Sequence, residues 1–277
     1  PSSVRELTAR GHEVLVQAGA GEGIFAADTD YMRAGARIVP AAGDVFAQAD
    51  MIVKVKEPQE SEYRRLQPHQ ILFTYLHLAP DPEQAAGLLA SGATAIAYET
   101  VTDAQGGLPL LAPMSEVAGR LSIEAAAMAL RRPTGGRGIL IGGVPGVRPA
   151  KVVVLGGGVV GTHAARMAAG LGADVTIIDR SILRLRQLDE LFEGRVRTLA
   201  ATLDTIETEV LAADAVIGAV LVPGASAPKL VTRAMLAGMK RGAVLVDVAI
   251  DQGGCFETSR PTTHDNPTYE VGGVIHY

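Results

Sequence analysis

The stretch KVVVLGGGVVG, residues 151–161, decides the fold of this chain. Its uninterrupted apolar run is typical of a strand buried on both faces of a parallel sheet, and the residues that follow have the apolar spacing of a helix. Between them lies the pattern G-x-G-x-x-G, formed by Gly156, Gly158 and Gly161. The first glycine makes a tight turn, the second lets the backbone approach a pyrophosphate, and the third lets strand and helix pack closely. The stretch therefore predicts a strand–turn–helix unit that binds a dinucleotide.

An acidic residue completes this unit. Asp179 ends the next apolar run, DVTIID, about 20 residues further on, where a carboxylate accepts hydrogen bonds from a ribose 2′-OH. The same charge would repel a 2′-phosphate, so the pattern favours NAD over NADP. Arg180 follows directly and leaves NADP open, because an arginine near this position accommodates the phosphate. A glycine-rich turn without a ligand is the alternative to a nucleotide site.

The alternation of strands and helices continues from residue 151 to residue 277. Strands are predicted at 151–156, 174–179, 196–201, 214–220, 243–249 and 271–277, with helices at 159–171, 181–192, 204–213 and 232–240. Six strands is the full count of a doubly wound, or Rossmann, dinucleotide-binding domain. The segment 218–224 after the fourth strand is expected to lie over the cofactor, with Val220 and Leu221 as contacts; a simple tight loop is the alternative.

The N-terminal part of the sequence has the same alternation. Strands are predicted at 12–17, 36–39, 50–56, 70–76 and 94–99, each after a helical stretch. Such a succession gives a mainly parallel sheet. The longest helical pattern, at 115–130, precedes a glycine-rich stretch, and we place a domain boundary there. The predicted fold class is α/β with two doubly wound parallel-sheet domains, 1–114 and 115–277, the second of which includes the linking helix 115–131.

The composition excludes several classes of protein. Of the 277 residues, 48% are apolar and 20% charged, which excludes a disordered chain, and no apolar run is long enough to span a bilayer. The net charge of −5 argues against nucleic acid or anionic lipid as partners. The single cysteine, Cys255, excludes an internal disulfide and a multi-cysteine metal cage. We expect a soluble, cytoplasmic protein that acts on a small molecule without a metal.

Three polar residues lie at predicted strand ends, where open α/β sheets bind their ligands. Lys56 ends MIVKVK, His77 follows ILFTYL, and Asp251 follows AVLVDVAI. Lysine could bind a carboxylate or polarise a carbonyl, histidine could transfer a proton near neutral pH, and aspartate could orient water or an amine. The structural alternatives are a solvated lysine, a half-buried histidine bonded to a carbonyl, and an aspartate that caps the turn 251–254. Lys54 lies on the same strand face as Lys56, so periodicity does not choose between the two lysines.

Several long strings of this sequence closely resemble bacterial L-alanine dehydrogenases. They are VKVKEP (53–58), ILFTYLHLA (71–79), AYET (97–100), LPLLAPMSEVAGR (108–120), GGVPG (142–146), VDVAIDQGGCFE (246–257) and SRPTT (259–263). The resemblance runs from one end of the chain to the other. The same superfamily includes the nucleotide-binding subunit of proton-pumping transhydrogenase and the saccharopine-type dehydrogenases, but 71–79 and 251–263 are similar to the alanine enzymes.

The resemblance implies an activity and a set of residue roles. The activity is the reversible, NAD-dependent oxidative deamination of L-alanine to pyruvate and ammonium, usually in a homohexamer. By matching motif, His77 would be the acid–base histidine, Lys56 would hold the substrate carboxylate or carbonyl, and Asp251 would lie beside the reacting carbon. Ser115 and Asp179 would contact the cofactor. The first domain, 1–114, would then be the substrate and catalytic domain.

The sequence departs from the family at both ends. Family members begin with a segment that carries a strand and a substrate-binding arginine, and they continue beyond the position of Tyr277 into a nicotinamide-contacting loop and further helices. We therefore expect the first domain to be incomplete within residues 1–277. The alternative function is a nucleotide-binding module without turnover, similar to the transhydrogenase subunit. The presence of Lys56, His77 and Asp251 together favours the enzyme.

Overall fold

The computed structural model describes residues 1–220 and 227–277. Within them the chain divides into two compact units, Pro1–Gly106 and Gly107–Tyr277. Both are built from helices and mainly parallel strands, which confirms the predicted α/β class. The division lies a few residues before the predicted boundary at 114/115, so that the whole of the long linking helix belongs to the second unit.

The described part of the first unit contains short parallel strands in two sheets. β1 (Leu15–Gln17) pairs with β2 (Arg37–Val39), while β3 (Met51–Val53), β4 (Ile71–Thr74) and β5 (Thr94–Ala97) pair in chain order. The helices are α1 (Ser2–Ala9), α2 (Asp28–Arg33), α3 (Ala42–Gln48), α4 (Glu60–Tyr63) and α5 (Pro82–Ser91). No ladder joins β1 or β2 to β3 in residues 1–106, so the single sheet predicted here is divided. The strands are mostly shorter than the predicted apolar runs.

A small apolar core holds the three-stranded sheet of the first unit. Leu72 on β4 is fully buried, with its neighbour Thr74 on the same face of the strand. The core is completed by Phe46, Ile52, Leu66, Leu76 and Leu88. Because this core packs against the face of β4 that carries Leu72, it fixes the position at which the chain leaves that strand.

The second unit is built on a seven-stranded sheet. Its strands are β6 (Lys151–Leu155), β7 (Asp174–Asp179), β8 (Arg197–Ala200), β9 (Ala215–Gly218), β10 (Val244–Asp247), β11 (Tyr269–Val271) and β12 (Val274–His276). The order β8-β7-β6-β9-β10-β12 is the 3-2-1-4-5-6 order of a Rossmann domain, and these six strands are parallel. The carboxyl ends of β6 and β9 are therefore adjacent at the point where the strand order reverses.

Apolar layers cover both faces of this sheet. Val152 and Val154 of β6 belong to one layer, and Val153 and Leu155 belong to the other, which explains why this strand has no apolar–polar alternation. The helices of the unit are α6 (Ala112–Ala129), α7 (Val159–Gly170), α8 (Ile182–Phe192), α9 (Leu203–Ala212) and α10 (Arg233–Leu236). The predicted helix 232–240 is thus reduced to one turn, which ends before Gly238, a residue that weakens helices.

The end of the sheet differs from the prediction. The segment 271–277, predicted as one strand, contains the end of β11, a turn and β12, and the two strands pair in antiparallel orientation as a hairpin. Gly272 and Gly273 form its turn with φ of 59° and 82°, as a type I′ turn requires. β12 joins the parallel sheet beside β10, and β11 covers the outer edge of β12.

Candidate functional site

His77 lies three residues beyond β4 in an unusual backbone conformation. Its φ is 44°, in the left-handed region that histidine enters more readily than most residues but at a cost. The backbone N–H groups of Leu76 and His77 donate to the carboxylate of Glu99, with 2.7 Å from the His77 nitrogen to Oε1. The side chain of Gln84 donates to the Leu76 carbonyl at 2.6 Å. These bonds hold the left-handed turn and with it the direction of the imidazole.

The imidazole ring has one engaged nitrogen and one open nitrogen. Tyr75 stacks against the ring at a centroid distance of 5.7 Å and an interplanar angle of 6°. Nδ1 bonds to a carboxylate oxygen of Glu57. Nε2 has no hydrogen-bond partner among residues 1–220 and 227–277. It does not belong to the fully buried side-chain atoms that lack a partner, so Nε2 is accessible to solvent. The half-buried histidine considered from the sequence is therefore bonded to a carboxylate rather than to a carbonyl.

The structure separates the two lysines that periodicity left equivalent. Lys54 forms an ion pair with Glu62, and both side chains are about three-quarters buried. Lys56 has a side chain that is 61% exposed, with its Nζ 3.8 Å from Oε1 of Glu57. Lys56 is thus the lysine that shares a partner with His77, and its ammonium remains accessible to a ligand.

Glu57 and Glu99 contact His77 and were missed by the sequence analysis. Glu57 carries the contacts that bring Lys56 and His77 together. Burial alone would raise the pKa of Glu57, but the hydrogen bond with His77 and the charge of Lys56 outweigh it and lower the pKa below its ordinary value. Glu57 was signalled only by its position directly after Lys56. Nothing local marked Glu99, which approaches His77 from beyond the neighbouring strand β5.

The glycine-rich turn of the second unit has the geometry that its pattern predicted. Gly156 has a φ of 102°, and a Cβ there would lie 2.6 Å from the Ala219 carbonyl oxygen. A Cβ on Gly161 would lie 1.8 Å from the carbonyl oxygen of Gly156. Gly158, at the N-terminus of α7, differs from both because a Cβ there would meet no atom within 4 Å. The turn thus leaves open space where the first free N–H groups of α7 lie, which fits an approaching pyrophosphate.

Asp179 lies next to this turn. Its Oδ2 accepts from the Gly157 N–H at 2.7 Å, and its Oδ1 accepts from the Ser181 N–H at 2.7 Å. A carboxylate has about four lone-pair positions, so Asp179 retains capacity to accept from a ribose hydroxyl. Arg180 is exposed. It is Arg184, which the sequence analysis missed, that reaches the turn, donating to the Gly157 carbonyl at 2.6 Å.

The remaining predicted cofactor contacts surround the same turn. The Cγ2 of Val220 would lie 3.2 Å from a Cβ on Gly156. Ser115 lies one turn before Gly119 on the same face of α6, and a Cβ on Gly119 would lie 2.3 Å from the carbonyl oxygen of Val160 in the first turn of α7. Leu221 lies outside the described residues. The predicted nucleotide residues that are described are therefore gathered around the start of α7.

Asp251 is carried by a loop that follows β10. It is exposed in a short 3₁₀ turn, Ile250–Gln252, and caps no backbone group there. The loop is held by the buried carboxylate of Asp247, which accepts from the N–H groups of Ala249, Cys255 and Phe256 and from the hydroxyl of Ser259. The loop is thus fixed through Asp247, which leaves the carboxylate of Asp251 available to a ligand.

Cys255 lies under this loop and is completely buried. Burial, followed by the nearby charge of Asp247, raises the pKa of the Cys255 thiol far above its ordinary value. The thiol is therefore neutral at physiological pH, as expected for a small buried residue.

Residues 1–220 and 227–277 contain neither a metal-binding cluster nor a membrane-spanning helix. No group of three or more His, Cys, Asp or Glu side chains in them is arranged to hold a metal ion. None of the helices found there combines the length and the apolar character that crossing a bilayer requires.

Comparison with known protein families gives two matches that together cover nearly the whole chain. The family description "Alanine dehydrogenase/PNT, N-terminal domain" matches residues 1–118, and "Alanine dehydrogenase/PNT, C-terminal domain" matches residues 122–277.

Individual proteins give the same result. The alanine dehydrogenase of Halomonas elongata is 60% identical over 277 residues, which are 100% of this chain and 75% of that protein. A solved structure of L-alanine dehydrogenase aligns with a TM-score of 0.92 and 56% identity, covering 100% of this chain and 76% of the other. The transhydrogenase from Sinorhizobium meliloti aligns with a TM-score of 0.81 and 31% identity, covering 99% of this chain and 79% of the other.

Proposed function

Because the chain belongs to the alanine dehydrogenase/PNT family, we propose that it catalyses the reversible, NAD-dependent oxidative deamination of L-alanine to pyruvate and ammonium. The observation that carries the proposal is the cluster of Lys56, Glu57 and His77 beyond two adjacent parallel strands, in a chain with 60% identity to an alanine dehydrogenase. A module that only bound nucleotide would gain nothing from an accessible lysine and an open imidazole nitrogen in this arrangement.

The residues around the start of α7 would hold the cofactor. Gly156 and Gly161 allow the close packing of the turn, and Gly158 leaves room for the pyrophosphate, whose charge the N-terminus of α7 would favour. Asp179 would accept from a ribose hydroxyl, which supports NAD over NADP because the carboxylate repels a 2′-phosphate. Ser115, Val220 and Leu221 would complete the contacts.

The chain's own residues would perform the remaining chemistry. When bound, the nicotinamide supplies the acceptor for the hydride that leaves the alanine Cα. The ammonium of Lys56 would bind the substrate carboxylate or polarise its carbonyl. Nε2 of His77 would take a proton from the water that attacks the substrate iminium and give it to the amine, which leaves as ammonia. The hydroxyl proton released as the carbonyl forms would then convert the ammonia to ammonium. Asp251 would orient the polar intermediates and stabilise their positive charge.

We further propose that the protein acts in the cytoplasm, which its single cysteine favours, and that it assembles as a homohexamer, which the resemblance supports. Light scattering of the purified chain during size-exclusion chromatography measures the second directly, and a monomeric mass would refute it.

The decisive experiment measures NADH in both directions, from L-alanine with NAD and from pyruvate with ammonium and NADH, together with NAD binding by calorimetry. We expect turnover in the wild-type chain, and loss of turnover with retained NAD binding in His77→Ala. NAD binding without turnover in the wild type would instead identify a nucleotide-binding module. Turnover that survives in His77→Ala would remove the histidine from the mechanism.

A further inference from the structure

We propose that Glu57 is the positioning residue of His77: it accepts the Nδ1–H of the imidazole and thereby makes Nε2 the single nitrogen that exchanges protons with substrate. The inference deepens the proposed function and rests on it for the identity of the reaction. It concerns only residues of the first unit.

The two strand ends that carry these residues are tied together. β3 and β4 are parallel neighbours, with Val53 opposite Phe73 in the register. Beyond the ladder, the hydroxyl of Thr74 lies 3.0 Å from the Val55 carbonyl oxygen and 2.9 Å from that of Lys56. The backbone immediately before Glu57 is therefore fixed to the strand that leads to His77. The contact between the side chains of Glu57 and His77 is therefore determined by the pairing of β3 with β4.

The ring is held from independent directions. Glu99 and Gln84 fix the backbone of residues 76 and 77, and Tyr75 stacks on the ring face. None of these contacts involves a ring nitrogen. Glu57 makes the one bond in the described residues that distinguishes Nδ1 from Nε2.

The charge of Glu57 determines which nitrogen carries the proton. An ionised carboxylate only accepts hydrogen bonds, and the lowered pKa of Glu57 keeps it ionised at neutral pH. Nδ1 must then be the donor in both the neutral and the protonated ring. The lone pair of the neutral ring is consequently placed on Nε2, which accepts a proton from water and later gives the same proton back. The carboxylate also faces the ammonium of Lys56, at 3.8 Å from Nζ to Oε1.

Glu62 provides a matched control. It is also a glutamate of the first unit, its side chain is 22% exposed against 24% for Glu57, and it also pairs with a lysine, Lys54. Glu62→Gln removes a comparable charge and ion pair without touching His77. Comparing Glu57→Gln with Glu62→Gln therefore separates an effect on the imidazole from a general loss of negative charge or of folding free energy.

The first measurement is ¹⁵N NMR of the whole chain labelled at histidine ring nitrogens, with the His77 signals assigned from their loss in His77→Gln. At a pH where the ring is neutral, we expect a protonated Nδ1 and an unprotonated Nε2 in the wild type and in Glu62→Gln. In Glu57→Gln and Glu57→Ala the two shifts should move towards each other or exchange. A protonated Nε2 in the wild type, or unchanged shifts in Glu57→Ala, would overturn the proposal.

The second measurement is steady-state kinetics of L-alanine deamination. Groups that orient a functional imidazole typically contribute 10- to 100-fold, so we expect kcat of Glu57→Gln to fall by about that factor, with NAD affinity unchanged. KM for L-alanine should change much less, and kcat of Glu62→Gln should remain near the wild-type value because the ion pair of Glu62 with Lys54 does not involve His77. Equal kcat values for the two variants would overturn the proposal. The NMR result does not depend on turnover, so an inactive wild type with the expected tautomer would refute the proposed function and leave this inference standing.

Discussion

Replacement of Gly158 by alanine is expected to separate dinucleotide binding from folding. A Cβ at this position meets no protein atom within 4 Å, and the backbone has an ordinary φ of −67°. Alanine is a poorer N-cap than glycine by roughly 0.5–1 kcal/mol, while it restricts the unfolded chain and so gains about 0.4–1 kcal/mol. The two effects nearly cancel, so the melting temperature should change by no more than about 2–4 °C.

The effect on binding should be large because the added methyl group occupies the space left for the pyrophosphate. Displacing that anion from the first turn of α7 would lose about one hydrogen bond to a charged group, worth roughly 1.5–3 kcal/mol. The dissociation constant for NADH should therefore rise by about 10- to 100-fold. Calorimetric titration of the intact chain with NADH measures this constant directly.

Gly170→Ala is the matched control. Gly170 ends the same helix, and a Cβ there also meets no atom within 4 Å. This variant should bind NADH as the wild type does. If Gly158→Ala binds NADH as tightly as Gly170→Ala, the pyrophosphate does not lie at the start of α7 and the nucleotide assignment fails.

Two further predictions concern a specificity residue and a buried histidine. Asp179→Ala should raise the ratio of the dissociation constant for NAD to that for NADP by about tenfold, which corresponds to the loss of one hydrogen bond. If calorimetry gives the same ratio as in the wild type, the carboxylate does not bind the ribose hydroxyl. Burial lowers the pKa of His276, whose ring bonds to Thr258 and to the Val274 carbonyl. Below about pH 6.5, His276 therefore binds a proton more readily in the unfolded chain than in the folded chain. The stability that His276 contributes is present above that pH and is lost as the pH falls towards the lowered pKa of His276 in the folded chain. His276→Gln should show a weaker loss of urea-unfolding free energy between about pH 7.5 and 5.5, and an identical loss in both proteins would contradict this assignment.

The second unit could be predicted from the sequence more completely than the first. Its strands β6 and β7 have five and six residues, and β6, β9 and β10 are buried along nearly their whole length, so apolar runs such as DVTIID correspond directly to elements. In the first unit the strands have only three or four residues, so an apolar run there defines the limits of an element less well. The hairpin strand Tyr269–Val271 was missed because a single short strand before two glycines has no period to read.

Within the candidate site, the sequence indicated residues that stand at strand ends or in a glycine pattern. It did not indicate residues that act by approaching from another strand, such as Glu99, or from the next helix, such as Arg184. The choice between Lys54 and Lys56 also needed the structure, because the two share a strand face and differ only in which carboxylate lies nearby. Local patterns determine where a side chain is attached, whereas its partners are determined by packing.

The complete burial of Cys255 makes the only thiol of this chain a natural reporter of unfolding. A thiol-specific reagent reaches it only when the loop held by Asp247 detaches from the sheet, because the neutral, enclosed sulfur is unreactive in the native state. The rate of alkylation therefore measures how often the second unit opens around Cys255. Cys255 and the start of α7 belong to the same unit. A dinucleotide bound at α7 would stabilise the folded form of that unit, and it should therefore slow the alkylation of Cys255.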